Sequence, residues 1–536
     1  MSELLLLCAL ILFSCVFANV FLGKYGMPTL LLFMGVGMLF GPDGLLKIQF
    51  QDYDLMEKLS TIALTFIIFY GGFCTKWKTA KPIAIQATLL STLGVVITAL
   101  LTCAFCYYCL NIGFAESFII GAVISSTDAA SVFSILRSKN LNLKNSTAPL
   151  LELESGSNDP FAYLLTVIGI ALLTGETTKH IPEIFVKQIV FGILGGIIIS
   201  YISVQIFKKT KTVTSSFYPI FMIGIVLISF ALPDMLGGNG LLSVYITGIV
   251  LGNAQIKHTS AMVNFFDGLT SLAQLLIFFL LGLSAYPHKI AHILIPASAI
   301  AVFLTFVARP VAVFGILLPM KSNFNQCALV SWAGLRGAAS IVFAVLVTSV
   351  AQTPKHDLFH IVFLIALLSV AIQGTMLPYI AKKFNMIDEN SDVRKTFNDY
   401  QEQEAISLIQ MSIDENHAWS GKSLKNITLP EDTLALMVKR GEEKIIPKGN
   451  TVLKSGDFLI LSVSAYQSNE EVNLEEVVIT KKHIWKDKHI SEIDLPENTL
   501  IAMINRNDKN VVPRGKTKLI ENDTLVLFKQ EDMTKA

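Results

Sequence analysis

Charge is scarce in this chain of 536 residues: only 15% are Asp, Glu, Lys or Arg, while 52% are hydrophobic. A water-soluble domain carries about a quarter charged residues, so most of this chain is not built to face water. An excess of either sign is missing too. Lys and Arg number 42 against 41 Asp and Glu, with no basic arm, and this excludes a nucleic-acid partner. Cysteine is sparse, with 7 in all, and sits in apolar runs, which rules out a secreted disulfide scaffold. Cys103, Cys106 and Cys109 have a spacing like that of iron–sulfur ligands, but they lie inside an apolar run with no fourth cysteine nearby. They read as small apolar side chains. The 9 histidines form no metal-ligand pair. No phosphate-binding glycine loop, nucleophile elbow or zinc signature occurs, so the chain is not read as an enzyme, and its driving energy must come from ion gradients.

What charge there is divides the protein. From residue 385 onward 46 of 152 residues are charged, against 37 of the first 384. The first part reads as an all-α polytopic membrane domain, the second as water-soluble. Apolar blocks long enough for a bilayer fall near 4–22, 28–46, 59–75, 82–109, 114–135, 148–174, 182–207, 217–233, 238–253, 269–285, 291–318, 325–350 and 356–383, about thirteen spans. The first is not a signal peptide by pattern, because Glu3 precedes it and Lys24 follows it. Loops on one side carry 12 Lys or Arg, among them Lys76, Lys78, Lys81, Arg137, Lys208 and Lys209; the opposite loops carry 5. The richer side is expected to be cytoplasmic, which places the N-terminus outside and the C-terminal tail inside a cell (inner) membrane.

Few ionisable residues fall well inside the apolar blocks: Asp128, Glu152, Glu154, Asp159, Arg309 and Arg336. Each costs about 2.5–3.5 kcal/mol or more at mid-membrane unless paired or hydrated. Arg309, followed by Pro310, reads equally well as a span-end charge with its head in the interface. In the run 151–160, Ser155 and Asp159 are four apart and share a helix face, as do Glu154 and Asn158. Such oxygen ligands suit a hard monovalent cation. The blander reading, that Glu152 and Glu154 only complement a helix N-terminus after Pro149, does not account for Asp159. Ser125-Ser126-Thr127-Asp128 interrupts the fifth span, and Asp128 reads as the N-cap of a half-helix over 129–136. A helix that stops and restarts in mid-bilayer is tolerated where it lines a cavity, and it marks a transporter's substrate site. The alternative is a continuous, hydroxyl-rich span. Arg336, between Gly334 and Gly337, cannot shed its charge and needs a carboxylate; Glu154 is the expected partner, which leaves Asp159 free to titrate.

These residues resemble the monovalent cation:proton antiporters of the sodium/proton-exchanger branch. The matching stretches are Ser126–Ala130, Glu154–Pro160 and Gly334–Ala338, with weaker matches at Gly26-Met27-Pro28 through Leu45 and at Gln373–Pro378. The resemblance implies thirteen spans in inverted repeats with crossed discontinuous helices, usually in a homodimer. It further implies that Asp159 is the transport carboxylate with Asn158 beside it, that Asp128 neutralises helix ends at the crossing, and that Glu154 and Arg336 form a structural ion pair. Thr127 and Ser155 complete the expected cation and proton site, and an Asn-Asp pair resembles the electroneutral exchangers. One position departs from the pattern: relatives often carry Asp or Glu just before paired glycines in the third span, where this chain has Tyr70 before Gly71-Gly72.

Residues 385–412 are polar and read as a helical linker, its core being 385–402. Beyond it, residues 419–463 recur at 485–529 with an offset of 66, pairing Trp419 with Trp485, Arg440 with Arg506 and Asp457 with Asp523. Both copies, 403–468 and 469–536, resemble the RCK-C (TrkA C-terminal) domain, a small α+β module of potassium transporters and channels. That resemblance implies pairing of the copies and a small cytosolic ligand, cyclic di-AMP or another nucleotide. A passive dimerisation module is the plainer reading.

The expected function is exchange of K⁺, or next Na⁺, for H⁺ across a lipid membrane by competition at Asp159. Burial disfavours the charged form of a carboxylate and a neighbouring cation favours it, so one group holds either ligand but not both. Two rivals come from other classes. A ligand-gated potassium channel requires a carbonyl filter, for which the sequence has no motif; a non-transporting receptor requires no flux.

Overall fold

The structure, a computed structural model, describes residues 2–22, 29–50, 52–139, 141–175, 180–209, 217–254, 256, 259–350 and 357–388. It also describes 406–529 except 416, 430–432, 442, 465–473, 480–482, 494, 496–498, 507–508, 512, 514 and 522. The stretch Gly26-Met27-Pro28 and all but the first four residues of the core linker lie outside the described residues. Chain contacts divide the protein into Met1–Gln403 and Glu404–Ala536.

The first unit is helical. Among the described residues eight helices are long and apolar enough to cross a membrane and five more are shorter and apolar, one for each of the thirteen expected segments; with the half-helices Ala129–Ser138 and Phe324–Trp332 they make fifteen. In chain order they are α1 (Ser2–Leu22), α2 (Thr29–Phe40), α3 (Tyr53–Cys74), α4 (Lys81–Cys109), and the two halves α5 (Phe114–Val123) and α6 (Ala129–Ser138). Then follow α7 (Thr147–Leu173), α8 (Ile181–Lys209), α9 (Phe217–Met235), α10 (Gly240–Asn253) and α11 (Thr259–Leu283). The last are α12 (His292–Leu317), the halves α13 (Phe324–Trp332) and α14 (Ala338–Val350), and α15 (Leu358–Lys383). Helix α1 is apolar all round, and Leu6, Phe13, Phe17 and Phe21 are exposed on it, a face suited to acyl chains rather than water. Inside, α11 packs against α2 and α3, and α10 packs against α3 and α8. Phe69, Phe266 and Phe278 are fully buried among them. Between helices that lipid could equally well solvate, such packing holds by dispersion and close approach more than by the hydrophobic effect.

Two expectations change in this unit. The tenth span starts at Thr259 rather than 269, because Asn264 and Asp267 are carried within a helix that continues through them. The twelfth apolar block, read from hydropathy as one stretch over 325–350, stops at Trp332 and resumes at Ala338, a second discontinuous helix of the kind the resemblance implies. The fifth span is likewise broken between Val123 and Ala129, which excludes the continuous reading.

In the second unit each repeat copy builds one antiparallel sheet. The first comprises β1 (Ile406–Ile413), β2 (Leu434–Arg440), β3 (Glu443–Ile445) and β4 (Asp457–Ser464), in the order β1-β4-β2-β3. The second comprises β5 (Leu474–Val478), β6 (Thr499–Arg506), β7 (Lys509–Val511) and β8 (Thr524–Lys529), in the order β5-β8-β6-β7. Strand β1 corrects the helical reading of 406–412: Ile406, Leu408 and the residues after them pair with β4 in register. The offset of 66 is kept in detail, since the register shifts between Ala435 and Met437 in one sheet and between Ile501 and Met503 in the other. Gly421 has φ +78°, and Asp487, its counterpart, has φ +64°. Aspartate tolerates this left-handed backbone better than most side chains, which is how the second copy dispenses with glycine there.

Candidate functional site at the helix crossing

A helix ending in mid-membrane leaves carbonyls without N–H partners, and one starting there leaves N–H groups without carbonyls. At the break between α5 and α6 both debts are met by charged side chains. Arg336 Nη1 donates to the carbonyls of Ser125 and Ser126 at 2.9 and 2.7 Å. Asp128 Oδ1 accepts from the N–H of Ala130 at 3.0 Å, and the Ser131 hydroxyl donates to Oδ2 at 2.5 Å. The cation thus meets the negative end of α5 and the carboxylate the positive end of α6. Each such charge-assisted bond contributes about 1.5–3 kcal/mol. The second broken span crosses here: the Asp128 N–H donates to the Leu335 carbonyl at 2.8 Å, and the Arg336 N–H to Ser369 Oγ at 3.1 Å. Gly337 permits the crossing, since a Cβ there would lie 2.4 Å from Asp128 Oδ2.

Helix α7 runs past this crossing and supplies the rest of the site. Ser155 Oγ donates to the Thr127 carbonyl at 2.7 Å and accepts from the Ala129 N–H at 2.9 Å. Asn158, fully buried, donates through Nδ2 to Thr127 Oγ1. Among the described residues its Oδ1 accepts nothing. Asp159 Oδ1 accepts from Ser126 Oγ at 2.5 Å. Pro160 follows and has no N–H, so it cannot close the helical bond to the Gly156 carbonyl. Ser126, Thr127, Asp128, Ser155 and Asp159 thereby line one cavity of about 400 Å³, which Glu152 and Gly156 also border.

The expected pair of Glu154 with Arg336 is corrected. Glu154 is bound by Arg309, whose Nη1 lies 2.7 Å from Oε1 and whose Nη2 donates to Oε2 at 2.9 Å. Arg309 is therefore no interfacial span-end charge; it is 2% exposed. A π-helical stretch at Leu304–Ala308, just before Pro310, leads into it. The guanidinium of Arg336 is taken up by the carbonyls of the break, which explains why a second arginine serves the carboxylate. The sequence carried one sign of this arrangement, a proline directly after an arginine inside an apolar block.

Reading the sequence also missed Asp267. It lines the same cavity from α11 and accepts a hydrogen bond from Tyr70 Oη at 3.1 Å. Because the apolar window opened at 269, this carboxylate fell in an expected loop.

Two spans broken around buried charges and a polar cavity define a secondary ion transporter of the multi-pass helical kind. The comparisons agree with that class. Residues 9–383 match the sodium/hydrogen exchanger transmembrane family, and residues 408–469 and 474–534 each match the TrkA-C domain. The chain is 33% identical over 443 residues to the K⁺/H⁺ antiporter NhaP2 of Shewanella baltica, covering 81% of this chain and 76% of that protein. It is 31% identical to the K⁺/H⁺ antiporter NhaP of Alkalimonas amylolytica, over 83% of this chain and 78% of the relative. Its fold is similar to that of the sodium proton antiporter MjNhaP1 of Methanocaldococcus jannaschii, with a TM-score of 0.62 at 23% identity, covering 71% of this chain and 99% of the other. The chain therefore belongs to the sodium/hydrogen exchanger family, cation/proton antiporters rather than enzymes, and carries two TrkA-C domains.

Proposed function

We propose that the protein exchanges K⁺, and less readily Na⁺, for H⁺ by letting the two compete for Asp159. The observation that carries the reading is the setting of that carboxylate: Asp159 borders a cavity of about 400 Å³ at the crossing of two broken helices, among the oxygens of Ser126, Thr127, Asp128 and Ser155. A desolvated carboxylate is costly unless a proton or a cation neutralises it, so the empty charged form is the disfavoured state. Alternating access then carries whichever ligand is bound, and exchange is obligatory. Preference for K⁺ is supported by relatives at 31–33% identity that are named K⁺/H⁺ antiporters, against 26% for the low-affinity Na⁺/H⁺ antiporter NhaS1 of Synechocystis. On this reading the chain works as a homodimer in a cell membrane, N-terminus outside and TrkA-C tail in the cytosol. The tail regulates flux through a small ligand, cyclic di-AMP or another nucleotide. The test is a pH jump on proteoliposomes loaded with K⁺ or Na⁺, with and without cyclic di-AMP. The wild type is expected to move cation electroneutrally, faster for K⁺, and Asp159→Asn to abolish exchange. Retention of exchange by that variant would falsify the assignment.

A further inference from the structure

Helix α11 is apolar over most of its length, yet Asp267, Thr270, Ser271 and Gln274 all line the cavity that holds Asp159. Their spacing of three, four and seven places them on one helix face. The stripe spans about 10 Å at about 1.5 Å per residue, and it continues into a second cavity of about 260 Å³ that Ser271 and Gln274 share with Ser131 and Ser134 of α6. Asp267 lies about 12 Å along the helix from Thr259 on the same count, whereas Asp159 lies about 18 Å along α7 from Thr147. On the topology expected from the loop charges, both helices begin on the side that bears the Lys76, Lys78 and Lys81 loop, which places Asp267 nearer that side than Asp159. Across the cavity stands Tyr70, 9% exposed, at the position where an acid is absent from α3. Its hydroxyl donates to Asp267 Oδ1 at 3.1 Å, which fixes the carboxylate without neutralising it. Among the described residues no ion pair involves Asp267. A carboxylate on a membrane helix with an orienting donor but no counter-cation is suited to meeting a mobile one.

Resting on the exchange reading above, we propose that Asp267, positioned by Tyr70, is the entry ligand for the alkali cation. It thus supplies from α11 the acidic group that α3 lacks, and it sets cation affinity rather than the exchange step itself. The polar stripe below it passes the ion from oxygen to oxygen toward Asp159.

The test is the K⁺ dependence of exchange in proteoliposomes of the full chain. Asp267→Asn is expected to raise the apparent KM for K⁺ about tenfold, the scale of one lost charge-assisted contact, with the maximal rate changed less than about twofold. Tyr70→Phe should raise KM by a smaller factor. Returning the acid to α3, in Tyr70→Glu combined with Asp267→Asn, should restore the low KM, which a merely structural role for Asp267 would not do. An unchanged KM in Asp267→Asn, a loss of maximal rate at unchanged KM, or no rescue by the double variant overturns the proposal. If Asp267→Asn fails to fold, Tyr70→Phe decides: a raised KM at a little-changed maximal rate supports the proposal, and an unchanged KM overturns it. Asp159→Asn, run beside them, separates the two readings: if it still exchanges, the competition mechanism fails, whatever residue 267 does.

Discussion

Glu154 binds Arg309 in a buried, two-point contact, and removing one partner leaves the other charged and desolvated. Arg309→Ala is therefore expected to destabilise the membrane domain by about 3–5 kcal/mol, seen as a large drop in thermal stability in detergent. Glu154→Gln combined with Arg309→Met should be the milder change, because no orphan charge is left. A double-mutant cycle between 154 and 309 should show strong coupling, and one between 154 and 336 much weaker coupling. The reverse ranking would reinstate the Arg336 pairing. Both arginines were visible in the sequence as intramembrane charges. Which one met the carboxylate was not, because both lie far from it along the chain, and the choice depends on where the broken backbone already claims Arg336.

At the scale of elements, the two half-helix pairs are held by mutual capping, and the tightest point is Gly337 against Asp128. Gly337→Ala is expected to push the Asp128 carboxylate off the N-terminus of α6 and to slow exchange at least about tenfold, since small displacements at a reacting centre are costly. Expression and folding would be less affected than in Arg309→Ala, and wild-type flux in Gly337→Ala would show that the contact relaxes freely. The first break was legible because Ser, Thr and Asp favour caps over helix interiors. In the second, Gly334 and Gly337 carry no side chain with which to announce a cap; their role appears only when the partner segment is in place. The start of α11 was misjudged for a related reason: hydropathy penalises Asn264 and Asp267, although a helix facing a polar cavity accommodates them.

At the scale of the whole molecule, the chain joins an apolar helical unit to two sheets, each with a small apolar core and a buried carboxylate paired with an arginine. Arg440 grips Asp457 through Nε and Nη2, both at 2.7 Å, and Arg506 repeats the grip on Asp523 at 2.8 and 2.7 Å. The Arg440 hydrogen bonds, against the opposing effect of burial, hold the Asp457 carboxyl below the usual carboxylate range. A lowered folded-state value stabilises the sheet above the unfolded value near 3.9, and that contribution is lost as pH falls through the folded one. Acid below about pH 4 should therefore loosen the first sheet, and Arg440→Ala, costing about 2 kcal/mol, should move that loss to higher pH. Limited proteolysis of the full-length protein, scored by cuts within 406–464, measures both effects. An identical cleavage profile in the variant would dismiss the pair as a stabiliser.

The sequence by itself determined what each stretch could tolerate. Apolar length marked the spans, the run 151–160 and the hydroxyls before Asp128 marked the candidate site, and the offset of 66 marked the doubled tail. These are local properties, written in composition and spacing. Only the tertiary structure decided which charge answers which: Arg309 for Glu154, Arg336 for the open carbonyls of Ser125 and Ser126, and Asp267 for Tyr70. An ion pair in a low-dielectric interior is selected by distance and by the backbone groups still in need of a partner, and neither is fixed until the helices have crossed.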